Sequence, residues 1–164
     1  MKANEIMIGD LLRVTKDVCI KKGTIVRVRA IDADDSLPQK GLKCAVRCQP
    51  IDDIYGMNIG GVWLNFLEPI PLTAEILEKI GLCKITLDGE KGSKQDYYID
   101  THFVGCYNMD ALTRVHASPI VYDIKQKWLF VDDKKLCRIE LMCPYVHTLQ
   151  HALRLCGIDK TFEL

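Results

Sequence analysis

The stretch "EPIPLTAEILEKIGL" (residues 68–82) decides how the chain is divided. Pro69 and Pro71 lack backbone donors and hold the residues before them extended, so neither a helix nor an unbroken ladder continues through them. Thr73 then offers a helix N-cap, with Leu72 and Leu77 at hydrophobic-staple spacing. Gly81 suits the left-handed position that closes a helix. The spacing predicts a short helix over AEILEKI (74–80) and a boundary near residue 70.

Upstream of that boundary the sequence reads as short strands. LLRV (11–14) leads through a polar turn to GTIVRVRAI (23–31), whose alternation places Val26, Val28 and Ala30 on one face. Ile25, Arg27, Arg29 and Ile31 fall on the other. DADDSLPQKG (32–41) reads as a loop. LKCAVRC (42–48) puts Leu42, Cys44, Val46 and Cys48 on one side and Lys43, Ala45 and Arg47 on the other. Its cysteines read as small hydrophobes of a buried face rather than metal ligands. GGVWLNFLEPI (60–70) supplies the last strand. Short strands separated by turns predict a small SH3-like β-barrel over 1–70.

Downstream, the expected order is helix, strands, helix. Candidate strands are CKITL (83–87), DYYIDTHFV (96–104), PIVYDI (119–124), WLFV (128–131) and LCRIEL (136–141). Without βαβ alternation this predicts an α+β domain over 71–164, built on a mainly antiparallel sheet with two flanking helices.

Bulk properties bound the function. The chain has 164 residues, 48% apolar and 27% charged, as a globular protein requires. Its 22 basic and 22 acidic residues balance, so nucleic acid or an anionic surface would be met only through a local patch. No apolar run spans a bilayer and the start lacks a signal-peptide pattern, which predicts a cytoplasmic protein with no membrane partner. Eight cysteines without a C-x-x-C pair then read as free thiols in a reducing compartment.

The segment "YVHTLQHALRLCG" (145–157) carries the sharpest chemical clue. Pro144 and Gly157 frame a helix over about 144–156. His147, His151 and Cys143 are the candidate metal ligands. On a helical projection the two histidines and Arg154 cluster opposite Leu149, Ala152, Leu153 and Cys156. The histidines are therefore expected outside, and Leu149, Leu153 and Cys156 inside. A zinc site needs three or four ligands, Thr148 stands where H-E-x-x-H has its glutamate, and Arg154 disfavours a nearby cation. The expectation is an ordinary helix with no metal and no cofactor.

"NEIMIGD" near the start, "EPIPLTAEILEKIGL" and "YVHTLQHALRLCG" together resemble a group of small proteins of phages, prophages and other mobile elements of gut anaerobes. Their pattern is similar to N-E-L-x-I-G-N/D, then P-I-P-L-T with a helix ending in glycine, then Y-V-H-x-L-Q-N. The resemblance covers the layout from end to end and implies no established activity. His151 stands where the pattern usually has asparagine, which further weakens a metal pair.

Asp100, His102 and Cys106 form on paper a thiol nucleophile with base and orienter. On a strand Asp100 and His102 share a face with Tyr98, a solvent-side or pocket-lining row, and partly exposed strand residues are the simpler reading. "LDGEKGSK" (87–94) lacks the phosphate-loop pattern and reads as a hairpin turn. Asp34–Asp35, Asp52–Asp53 and Asp132–Asp133 read as solvated loop pairs. One cluster is more basic than its surroundings: Lys16, Lys21, Lys22, Arg27 and Arg29 stand against Asp17. With Lys43 and Arg47 on the next strand, Lys21, Lys22, Arg27 and Arg29 would form a basic strip on the barrel.

These readings predict a non-enzymatic binding or accessory protein of mobile-element origin, with a protein partner and no catalytic residues. The alternative is nucleic-acid binding through the basic strip.

Overall fold

The computed structural model describes residues 5–32, 45–88, 93–100, 119–133, 137–158, 162 and 164. Among the described residues the protein is α+β, with two five-stranded antiparallel sheets and two α-helices. It divides into two compact units, residues 1–71 with 145–147, and residues 72–144 with 148–164.

The first unit contains β1 (Leu11–Val14), β2 (Ile25–Asp32), β3 (Ala45–Pro50), β4 (Gly60–Trp63) and β5 (Leu67–Pro69), in the order β4-β3-β2-β1-β5. The expected single strand over 60–70 is instead two strands at opposite edges, joined by one 3-10 turn at Leu64–Phe66. Four strand spacings would separate the edges of a flat sheet by about 19 Å. Four residues of extended chain reach only about 14 Å. The sheet must therefore be rolled. No ladder joins β4 to β5 among the described residues, so a closed barrel is not found.

Inside the roll sit Leu12, Val14, Val26, Val28, Val46, Cys48, Val62 and Leu67, packed with Ile6, Ile20 and Leu64. The alternation of β2 holds only as far as Val28. A register shift between Val28 and Ala30 inserts Arg29 as a bulge, and Ile31 rather than Ala30 turns to the core. A bulge adds one residue to one strand, which exchanges the faces beyond it.

In the second unit, Thr73 caps α1 (Ala74–Lys79) by accepting from Ile76 N. Gly81, at φ +85°, ends it with an N–H donated to Glu78 O. A meander follows: β6 (Leu82–Asp88), β7 (Lys94–Asp100), β8 (Ile120–Asp123), β9 (Trp128–Asp133) and β10 (Cys137–Met142), each paired with the next. β6 and β7 pair from Leu82–Asp100 to Asp88–Lys94, the hairpin that 87–94 suggests. Asp132 and Asp133 lie on β9 rather than in a loop. Buried Asp123 fixes the β8–β9 turn: Oδ1 accepts from Lys125 N and Gln126 N at 2.9 Å each, and Oδ2 accepts from Gln95 Nε2.

The final helix, α2, spans Val146–Leu155 and starts later than Pro144. Pro144 O accepts from Leu72 N, Tyr145 bridges Pro71 and Val146 N donates to Ile70 O, so this segment is extended before it coils. At the other end Gly157 N bonds Arg154 O and Ile158 N bonds Leu153 O, with Gly157 at φ +70°. This is the Schellman ending. Among the described residues no helix is long and apolar enough to cross a membrane.

Candidate binding surface

The β3–β4 connection, residues 51–59, folds on itself and leaves its apolar side chains outside. Asp53 organises it. Its N–H donates to Pro50 O, its O accepts from Gly56 N, and its carboxylate accepts from Asn58 N at 2.6 Å. Gly56 sits at φ +67°, a left-handed conformation that favours glycine. Beneath the loop, buried Gln49 donates from Nε2 to Asp53 O and accepts from Arg29 Nε. With the backbone held in this way, Ile54, Tyr55 and Met57 stand 85%, 89% and 82% exposed, and Ile59 52%. Single exposed apolar residues are ordinary, but four within six positions form a patch.

The facing β1–β2 loop is also ordered. Lys22 N donates to Asp17 Oδ1 at 2.8 Å, Gly23 N to Val14 O, and the Cys19 thiol to Gly61 O at 3.2 Å. Lys16 Nζ lies 4.9 Å from the centre of the Phe66 ring. Between the two loops is a cleft of about 640 Å³, with Ile20, Pro50, Met57 and Ile59 among its apolar lining and Lys21 and Asp52 among its charged lining. Its size is that of a small-ligand or peptide side-chain pocket. Sequence reading missed this surface. Its only signal was a run of Ile, Tyr, Met and Ile inside a segment otherwise built of turn residues.

Lys21 and Lys22 are exposed on the β1–β2 loop, Arg29 and Arg47 are exposed on strands, and Arg27 is half-buried. By register Arg27 opposes Gln49, and Arg47 opposes Ala30. Arg29 turns to Gln49 within hydrogen-bond distance. Lys43 lies outside the described residues, as do Cys44, His102 and Cys106. Asp100 and Tyr98 are buried, 2% and 1% exposed, so neither faces solvent.

The terminal helix corrects a second expectation. His147 is 4% exposed and its ring stacks on Tyr145 with centroids 5.8 Å apart. His151 is half-buried, and Cys156 is half-buried rather than in the core. Val146, Leu149, Gln150, Ala152 and Leu153 are all buried. Val146 and Gln150 widen the buried arc until it includes His147, and the outside is left to Arg154 and Leu155. Cys143 is buried with its thiol directed to Thr148 O, and burial pushes it up to about 12. Burial does the same to Cys48, helped by neighbouring Cys19. Thiols held protonated are poor ligands and poor nucleophiles. Among the described residues no three His, Cys, Asp or Glu side chains are grouped to hold a metal.

No family model, curated protein or solved structure matches the chain.

Proposed function

We propose that the protein is a non-enzymatic accessory protein of mobile-element origin that acts in the cytoplasm by holding a protein partner on its first unit. The observation that carries this reading is the loop 51–59, in which Ile54, Tyr55 and Met57 are held outward by a hydrogen-bonded frame. An ordered loop presents apolar side chains at low conformational cost on binding. Tyrosine and methionine are enriched at protein interfaces, whereas a nucleic-acid surface needs clustered cations. The strand order β4-β3-β2-β1-β5 with a 3-10 link supports reading the unit as SH3-like, a layout whose loops commonly bind peptides.

The test compares the wild type with an Ile54→Ser, Tyr55→Ser, Met57→Ser variant as bait in the native host. A specific partner retained by the wild type and lost by the variant, with melting unchanged, is the expected result. A partner captured equally by both removes the loop from the reading. Nucleic acid captured by both, and released steeply by salt, replaces the reading with the basic-strip alternative.

A further inference from the structure

The sulfur of Cys19 sits where a side chain at Gly60 would begin. A Cβ built on Gly60 would lie 2.6 Å from Cys19 Sγ, and the same thiol reaches Gly61 O at 3.2 Å. Gly60 is the direct cross-strand partner of Cys48. Side chains on directly opposed residues begin about 4.5–5.5 Å apart on one face. The loop thiol thus fills the vacant half of a cross-strand pair whose other half is a cysteine. Glycine at 60 is what permits this approach.

We propose that Cys19 and Cys48 form a redox pair, which an oxidant of the peroxide class joins as a disulfide fastening the β1–β2 loop to β3. Cys19 is exposed and lines the cleft, whereas Cys48 is fully buried in the core. The oxidant therefore meets Cys19 first. The Cys19 sulfur attacks one peroxide oxygen and the O–O bond breaks, giving a sulfenic acid and one water. The Cys48 sulfur then attacks the Cys19 sulfur. An S–S bond forms, the S–O bond breaks, and the hydroxyl leaves as water with the Cys48 proton. Two thiols and one peroxide become one disulfide and two waters, with two electrons passing from sulfur to the peroxide.

Disulfide Cβ atoms stand about 3.5–4.5 Å apart, so closure must bring the Cys19 and Cys48 Cβ atoms to that separation. Burial keeps Cys48 protonated, so it must give up its proton as it attacks, and this second step is the slow one.

The experiment treats the intact wild-type protein with hydrogen peroxide, blocks remaining thiols with an alkylating reagent and maps peptides without reduction. Mapping is required because the chain has eight cysteines. A Cys19–Cys48 peptide two hydrogens lighter than its separate thiols, and cleaved by dithiothreitol, is expected. Cys19→Ser should abolish it, and Cys48→Ala should leave a Cys19 sulfenic acid that dimedone traps. The proposal is overturned if oxidised wild type carries Cys19 unmodified, as a stable oxyacid, or joined to a different cysteine. The wild-type map decides the matter even if a variant does not fold.

Discussion

Arg29 and Gln49 are joined across the β2 bulge, Nε donating to Oε1 at 2.5 Å. The other end of the same amide donates to Asp53 O. One buried side chain therefore couples the irregularity of the sheet to the loop that carries Ile54, Tyr55 and Met57. Gln49→Leu keeps the volume and removes both bonds. Arg29 is exposed and Asp53 half-buried, so both can turn to water, and the loss is the net worth of the bonds, about 0.5–1.5 kcal/mol each. Denaturant unfolding should show that loss, and amide exchange should quicken in 51–59 more than elsewhere. Unchanged exchange in the loop would sink the coupling.

The terminal helix gives a graded series. Leu153 is 2% exposed, so Leu153→Ala should cost about 2–5 kcal/mol. Arg154 is exposed, and Arg154→Ala should cost less than about 0.5 kcal/mol. His147→Ala, at a position the helical projection places outside, should destabilise markedly, because the ring is buried against Tyr145. Metal chelation should leave the melting curve where it is. A large downward shift on chelation would restore the metal reading.

Cys48 makes stability depend on alkaline pH. In the unfolded chain a thiol titrates near 8.5. In the fold, burial holds Cys48 up to about 12. Below about pH 8 both states keep the proton and this group adds no slope. Between the two values only the unfolded state loses it, so stability falls by about 1.4 kcal/mol per pH unit from this group. Cys48→Ala should flatten the alkaline limb of a stability–pH profile by that slope. At pH 8, Cys19 and Cys83 should label rapidly in the native protein, and Cys48 and Cys143 only on unfolding.

Gly60→Ala places a methyl group 2.6 Å from Cys19 Sγ and 3.3 Å from Ile20 Cγ1. The variant should melt below the wild type. Cys19→Ala in the same background should recover part of the loss, a coupling that a double-mutant cycle reads directly. Strict additivity would show that the sulfur and the methyl do not compete.

Much of the framework was legible because it rests on local chemistry. Thr73, Gly81 and Gly157 do what a hydroxyl and two unsubstituted backbones do at helix ends, whatever surrounds them. The bulge at Arg29 was not legible. Alternation over GTIVRVRAI continues unbroken on paper, and only pairing with β3 shows that one residue is extra. His147 was misplaced because periodicity weighs polarity, and a polar residue buried by its neighbours leaves no mark in the pattern. The exposed loop was missed for the opposite reason: Ile54, Tyr55 and Met57 look like core residues until the turn around Asp53 directs them outward.

The first unit is not contiguous in sequence, since residues 145–147 belong with 1–71. Val146 N bonds Ile70 O, and Tyr145 bridges Pro71. During synthesis the ribosome must therefore deliver residues 145–147, more than seventy positions later, before the first unit is complete. Domains generally fold as they emerge, at about 5–20 residues per second. The nascent first unit thus waits several seconds with the backbone around residues 70–71 unpaired. A fragment ending at residue 71 reproduces that intermediate and lacks the mature unit's last pairing.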